Sequence, residues 1–149
     1  MGRANRYLPL LGRALIGAAF MFSGIGKLTA HDATVDYISS GGLPFAQLAW
    51  FIATAVELTG GALLLIGFQT RRVAAVLAGF AVATAFLFHH DFGDQNTLTH
   101  FLKNIMLAGG LLQIVYFGAG PLSLDAAGPI LLPRTPGQGP ADRVDFTTL

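Results

Sequence analysis

Glu57 is the only glutamate in the chain, and it stands in an apolar run, Leu48 to Phe68, that carries no other charge. A carboxylate inside a membrane span costs at least about 2.5 kcal/mol to insert, so its presence points first to a functional site. Spacing nominates its company. His100, Lys103 and Asn104 lie three and four residues apart and share a helix face. Lys27, His89 and His90 border the same end of the apolar runs. In such a cluster a lysine or imidazole donates a hydrogen bond to a carbonyl, while a carboxylate takes or gives a proton. Glu57, Lys103 and His100 are therefore the candidate catalytic residues. Glu57, His100, Lys103, Asn104, His89, His90 and Lys27 are candidates for binding a small molecule.

Depth predicts which groups pair. Glu57 lies about 13 Å in from Leu48 at about 1.5 Å per residue, and Lys103 lies about 9 Å deep if its helix begins near Thr97. Two flexible side chains close that gap, so the expectation is a Glu57–Lys103 ion pair, with Asn104 taking up spare hydrogen-bonding capacity. Such a pair alone would be a lock on helix register. The surplus of polar groups at this end favours a pocket. A metal site is not expected: the histidines lack the spacing of a zinc motif, and adjacent His89 and His90 point about 100° apart on a helix. No histidine pair is clearly placed to ligate haem from both sides.

These residues need elements to hold them. The chain is 53% hydrophobic and 11% charged, against about 25% charged in an ordinary soluble domain. Four apolar stretches, about 8–26, 48–68, 73–88 and 102–117, approach the roughly 20 residues that span a bilayer and predict helices over about 8–26, 48–68, 73–90 and 98–117. The fold expected is all-α, an integral membrane four-helix bundle over residues 1–125. The first stretch is read as a retained helix rather than a cleaved leader. Residues His31 to Ile38 suggest a short interfacial helix before the Gly41-Gly42-Leu43-Pro44 break. Residues 126–149, rich in proline, read as a partly disordered cytoplasmic tail.

Small residues give Glu57 a direction. Ala49, Ala53, Glu57, Gly60 and Gly61 recur at spacings of three and four, which turns the acid into the bundle. Gly24, Gly26, Gly109 and Gly110 are candidates for the facing surfaces. Arg3, Arg6, Arg13, Arg71, Arg72, Arg134 and Arg143 gather on one side of the membrane, which puts both termini in the cytoplasm. Cys is absent, excluding thiolate and disulfide chemistry within the chain. No basic cluster of the nucleic-acid kind is present.

Six pieces carry a resemblance: Phe22 to Leu28, Gly42-Leu43-Pro44, Glu57 to Gly61, Gly67 to Arg71, His100 to Asn104, and Gly118 to Asp125. In order and spacing the chain resembles the DoxX family of small four-helix bacterial membrane proteins. The resemblance implies a multi-pass protein of the bacterial inner membrane. It also implies a link to quinone-coupled redox metabolism, because the family is named from subunits of a quinol-oxidising terminal oxidase and of a thiosulfate:quinone oxidoreductase. The expected activity is that of a redox-associated subunit binding a quinone or similar apolar molecule around Glu57 and Lys103. The rival readings are a non-enzymatic partner of an oxidoreductase or stress-response complex and a small proton-coupled transporter, which would function as a homo-oligomer.

Overall fold

The computed structural model describes residues 4–89 and 92–131. Six helices follow one another: α1 (Ala4–Thr29), α2 (His31–Ser40), α3 (Ala46–Ile66), α4 (Thr70–Phe88), α5 (Gln95–Phe117) and α6 (Leu124–Leu131). Four of them, α1, α3, α4 and α5, are long and apolar enough to cross a membrane. The protein is an all-α integral membrane four-helix bundle with two short helices added. The long helices mostly outrun the apolar stretches that announce them, because a helix continues into the headgroup layers where polar residues are tolerated. The interfacial helix forms as α2, anchored by Ile38, which is buried. Helix extends past residue 125 to Leu131, and the remainder of the Pro-rich tail lies outside the described residues.

The helices pack chiefly as two pairs, α1 with α3 and α4 with α5, joined through α3 and α4. The α1–α3 seam explains its own sequence. On α1 the buried residues are Arg13, Gly17, Phe20 and Gly24, and on α3 they are Thr54, Glu57, Gly61 and Leu64. Both sets recur at three and four, the spacing that keeps two long helices in contact along their length. Gly17 and Gly61 meet directly. A Cβ on Gly17 would lie 2.8 Å from the Gly61 carbonyl oxygen, and one on Gly61 would lie 2.7 Å from the Gly17 carbonyl oxygen. Without a hydrophobic drive between helices in lipid, this backbone approach supplies van der Waals contact that larger residues prevent.

The small-residue stripe divides between two neighbours. Gly61 faces α1, whereas Gly60 faces Leu77 of α4. Gly24 packs on Glu57 and Leu58. Gly26 and Gly109 face open space, and Gly17 is the contact that the sequence stripe did not single out.

The seam's far end is closed by a polar knot. Arg13 is 1% exposed and donates to the carbonyl oxygens of Leu64 and Leu65 at the end of α3, and to that of Leu122 before α6. A cation there also meets the negative end of the α3 dipole. Gly67 ends α3 at φ 71°, a left-handed conformation, and a side chain there would collide with the Arg13 guanidinium. Helix α4 has no local side-chain cap. Its first amides, Gln69 N–H and Thr70 N–H, donate to the Asp125 carboxylate at 2.7 and 2.8 Å. Two of the family-like pieces, Gly67 to Arg71 and Gly118 to Asp125, thus dock on each other.

Burial opposes ionisation of Asp125, but hydrogen bonds from Thr70 and the Gln69 amide, with the Arg13 charge, hold its pKa below the ordinary 3.8. A depressed carboxylate stabilises the fold at pH above its unfolded value and loses that contribution as pH falls toward the folded value. Thermal unfolding in detergent should therefore show a decline below about pH 4 that is shallower in Asp125→Asn, which should also be less stable at pH 7 by about 1 kcal/mol for the lost cap. In the same assay Gly61→Ala should lower stability by about 1–3 kcal/mol through overpacking. Gly79→Ala, whose Cβ meets nothing within 4 Å, should leave stability unchanged or slightly raised.

Candidate functional site

The α1–α3 register determines the partner of Glu57. Gly24 lies against Glu57, so Lys27, one turn further along α1, comes within reach of the carboxylate. Its Nζ donates to Oε1 at 2.8 Å and to Oε2 at 2.7 Å. Ser23, four residues before Lys27 on the same face, accepts from Nζ at 3.0 Å and donates to Oε1 at 3.2 Å. The result is a closed Ser23–Lys27–Glu57 triad. Trp50 fixes the end of α1 beside it, its Nε1–H donating to the Lys27 carbonyl at 3.0 Å.

The expected Glu57–Lys103 pair is therefore a correction. Lys103 is exposed on α5 and takes no part in the cavity around Glu57. Helix rotation is the reason. The residues that α5 turns inward are His100, Asn104 and Leu107, followed by Leu111, a stripe running by four and three. Lys103 sits about 100° from Asn104 and so leaves that stripe. Lys27 ends the first apolar run, nearer the mouth than Glu57. Its four-carbon stem reaches back along the seam to Glu57.

Around this triad lies a cavity of about 520 Å³, within the 300–1,000 Å³ of small-molecule sites. It occupies the half of the bundle nearest α2, between the two helix pairs. Its walls are mainly apolar and include Phe20, Ile38, Ile52, Phe80 and Leu107. Its polar members include Ser23, Lys27 and Glu57 on one side, with Thr84, His89, His100 and Asn104 across from α4 and α5. The Lys27 side chain is 23% exposed and that of Glu57 7%, so the carboxylate is the more deeply buried of the two.

The two histidines come together, which the spacing did not reveal. His89 ends α4 and His100 lies one turn into α5; their rings stack with centroids 5.1 Å apart and planes 22° from parallel. Burial lowers the His89 pKa and the neighbouring His100 lowers it further, so the ring is held neutral to lower pH than usual. Stacked face to face, the two rings do not direct nitrogens at a shared centre. Among the described residues no group of three His, Asp or Glu could hold a metal ion. His90 and Asp91 lie outside the described residues. Asp94 serves as a helix cap, its carboxylate accepting from Thr97 N–H at 2.7 Å. His31 is engaged on the surface with Asp32, Gln47 and Trp50.

Residues that sequence reasoning passed over are Ser23, Thr84 and Tyr37. Ser23 stands within the Phe22–Leu28 piece at i−4 from Lys27, a spacing that could have marked it. Tyr37 stacks on Phe88 at 5.7 Å and roofs the cavity with α2.

A four-helix integral membrane bundle with an acid–lysine pair buried in its α1–α3 seam is the class that fold and site define. The chain belongs to the DoxX family, whose model matches residues 8–90. It is 37% identical to the inner membrane protein YqjF of Escherichia coli K12 over 116 residues, 78% of this chain and 88% of that one. It is 33% identical to the inner membrane protein YphA of the same organism over 129 residues, 83% and 92% of the two chains. A shorter match, 38% over 78 residues, covers 52% of this chain and 57% of a Bacillus subtilis strain 168 protein named "Putative oxidoreductase CatD". No solved structure matches the chain.

Lys27→Ala leaves a buried carboxylate unpaired and should cost about 3–5 kcal/mol, whereas Lys27→Met combined with Glu57→Leu should cost far less. Lys103→Gln should be nearly neutral. Thermal unfolding of the three variants checks this, and a large loss in Lys103→Gln alone would restore the pairing that depth suggested.

Proposed function

We propose that this protein is a redox-associated subunit of the bacterial inner membrane that binds a quinone, or a molecule of similar shape, in the cavity beside Lys27 and Glu57. The observation that supports the reading is the join of apolar walls to proton-exchanging groups within one cavity. Phe20, Ile52, Phe80 and Leu107 offer surface for a hydrocarbon tail or ring face. Asn104 and His100 offer donors to a head-group carbonyl, beside the Lys27 ammonium, whose three N–H groups are engaged by Ser23 and Glu57. Glu57 behind Lys27 is the group that exchanges a proton when the head group changes charge. The name of the Bacillus relative is in keeping with redox chemistry. Having no cysteine, the chain serves such chemistry beside a partner oxidoreductase rather than through a dithiol of its own.

The arginine distribution supports cytoplasmic termini. That orientation puts the α2 end, with its cavity mouth and the histidine pair, toward the periplasm.

Titration of the purified protein with a short-chain ubiquinone analogue should give saturable binding. Thr84→Phe, which fills the cavity without touching the triad, should abolish it, and Asn104→Ala should weaken it about tenfold for one lost donor. A wild type without saturable binding, or a Thr84→Phe variant that binds equally well, leaves the Lys27–Glu57 pair as a helix lock and overturns the reading.

A further inference from the structure

We propose a second binding site, for the phosphodiester monoanion of an anionic phospholipid, at the opposite end of the bundle. A groove of about 590 Å³ lies there between the α3–α4 turn and the segment joining α5 to α6. Arg71 and Arg72 both line it. Neither forms an ion pair among the described residues. Among the described residues Arg72 donates to the Gln69 side-chain oxygen at 3.2 Å. Arg71 is laid against Gly118, at φ 84°, where a Cβ would come within 3.3 Å of its Nε. The absence of a side chain at Gly118 thus leaves room for the guanidinium beside the groove. The Thr70 hydroxyl, fully buried in the same wall, has no hydrogen-bond partner.

Two further features select the ligand. Phe117 lines the groove and, with the neighbouring Tyr116, is more than 70% exposed. Exposed aromatics at a helix end mark the headgroup level of a bilayer, where acyl chains begin. Asp125 also borders the groove, but both its oxygens are taken by the Gln69 and Thr70 amides. Its remaining charge disfavours a dianion such as inorganic phosphate more than a singly charged diester. Two guanidiniums presenting fixed forks of donors suit the paired free oxygens of that diester. The site is independent of the quinone reading and shares no residue with the cavity.

Native mass spectrometry of the full chain, released from nanodiscs containing equal phosphatidylglycerol and phosphatidylcholine, tests it. Phosphatidylglycerol should be retained preferentially. Arg71→Gln with Arg72→Gln should weaken that retention about thirtyfold, and Arg71→Lys with Arg72→Lys should restore much of it. Because the glutamine variant can fail for loss of fold, the wild-type melting temperature is also compared in short-chain phosphatidylglycerol, short-chain phosphatidylcholine and inorganic phosphate. A rise with phosphatidylglycerol alone supports the site. Equal retention of the two lipids, retention unchanged in the glutamine variant, or an equal rise with inorganic phosphate overturns it.

Discussion

Everything in this bundle is referred to the seam between α1 and α3, and the seam is governed by the problem of burying charge in a membrane. Glycines bring the two backbones together at Gly17 and Gly61. That approach leaves no room for a side chain between the two backbones at this point. The two ionic groups facing α3, Arg13 and Lys27, are fourteen residues apart on the same α1 stripe. Each answers a fixed negative group on α3, the terminal carbonyls for Arg13 and Glu57 for Lys27. Sliding one helix by a residue would break both at once. The charges therefore specify register, and the glycines make the specified register adhesive.

The cavity follows from that arrangement. Residues that complete the seam do not complete the space between the α1–α3 and α4–α5 pairs on the α2 side. There α2, Leu43 and the Tyr37–Phe88 stack form a roof over space that side chains do not fill. The triad is thus both a structural fastener and one wall of a pocket. Lys27 joins the two: its hydrogen bonds hold Glu57, and its side chain lines the cavity.

Much of the fold was legible in the sequence, because membrane helices must be apolar over about 20 residues and little else in a chain is. The four spans, the interfacial helix and the inward direction of Glu57 all follow from that constraint and from the small-residue stripe. The pairing was not legible for a physical reason. Depth fixes only position along the axis, and Lys27 and Lys103 both lie on the α2 side of Glu57. Choosing between them requires the rotation of α1 and α5, which the contacts of Gly17 and of Leu111 set. Asp125 capping α4 and Arg13 capping α3 were hidden similarly, since each acts on a helix end remote in sequence. The His89–His100 stack depends on the turn between α4 and α5, whose geometry no periodicity encodes.

One glutamate and two lysines in the whole chain make the central contact directly measurable. In bilayers, solid-state NMR of protein carrying 13C-labelled glutamate and 15N-labelled lysine reports dipolar coupling between the Glu57 carboxyl carbon and lysine Nζ. The account predicts a strong coupling that persists unchanged in Lys103→Arg, whose remaining labelled lysine is Lys27. Loss of the coupling in that variant, or its absence from the native protein, would contradict it.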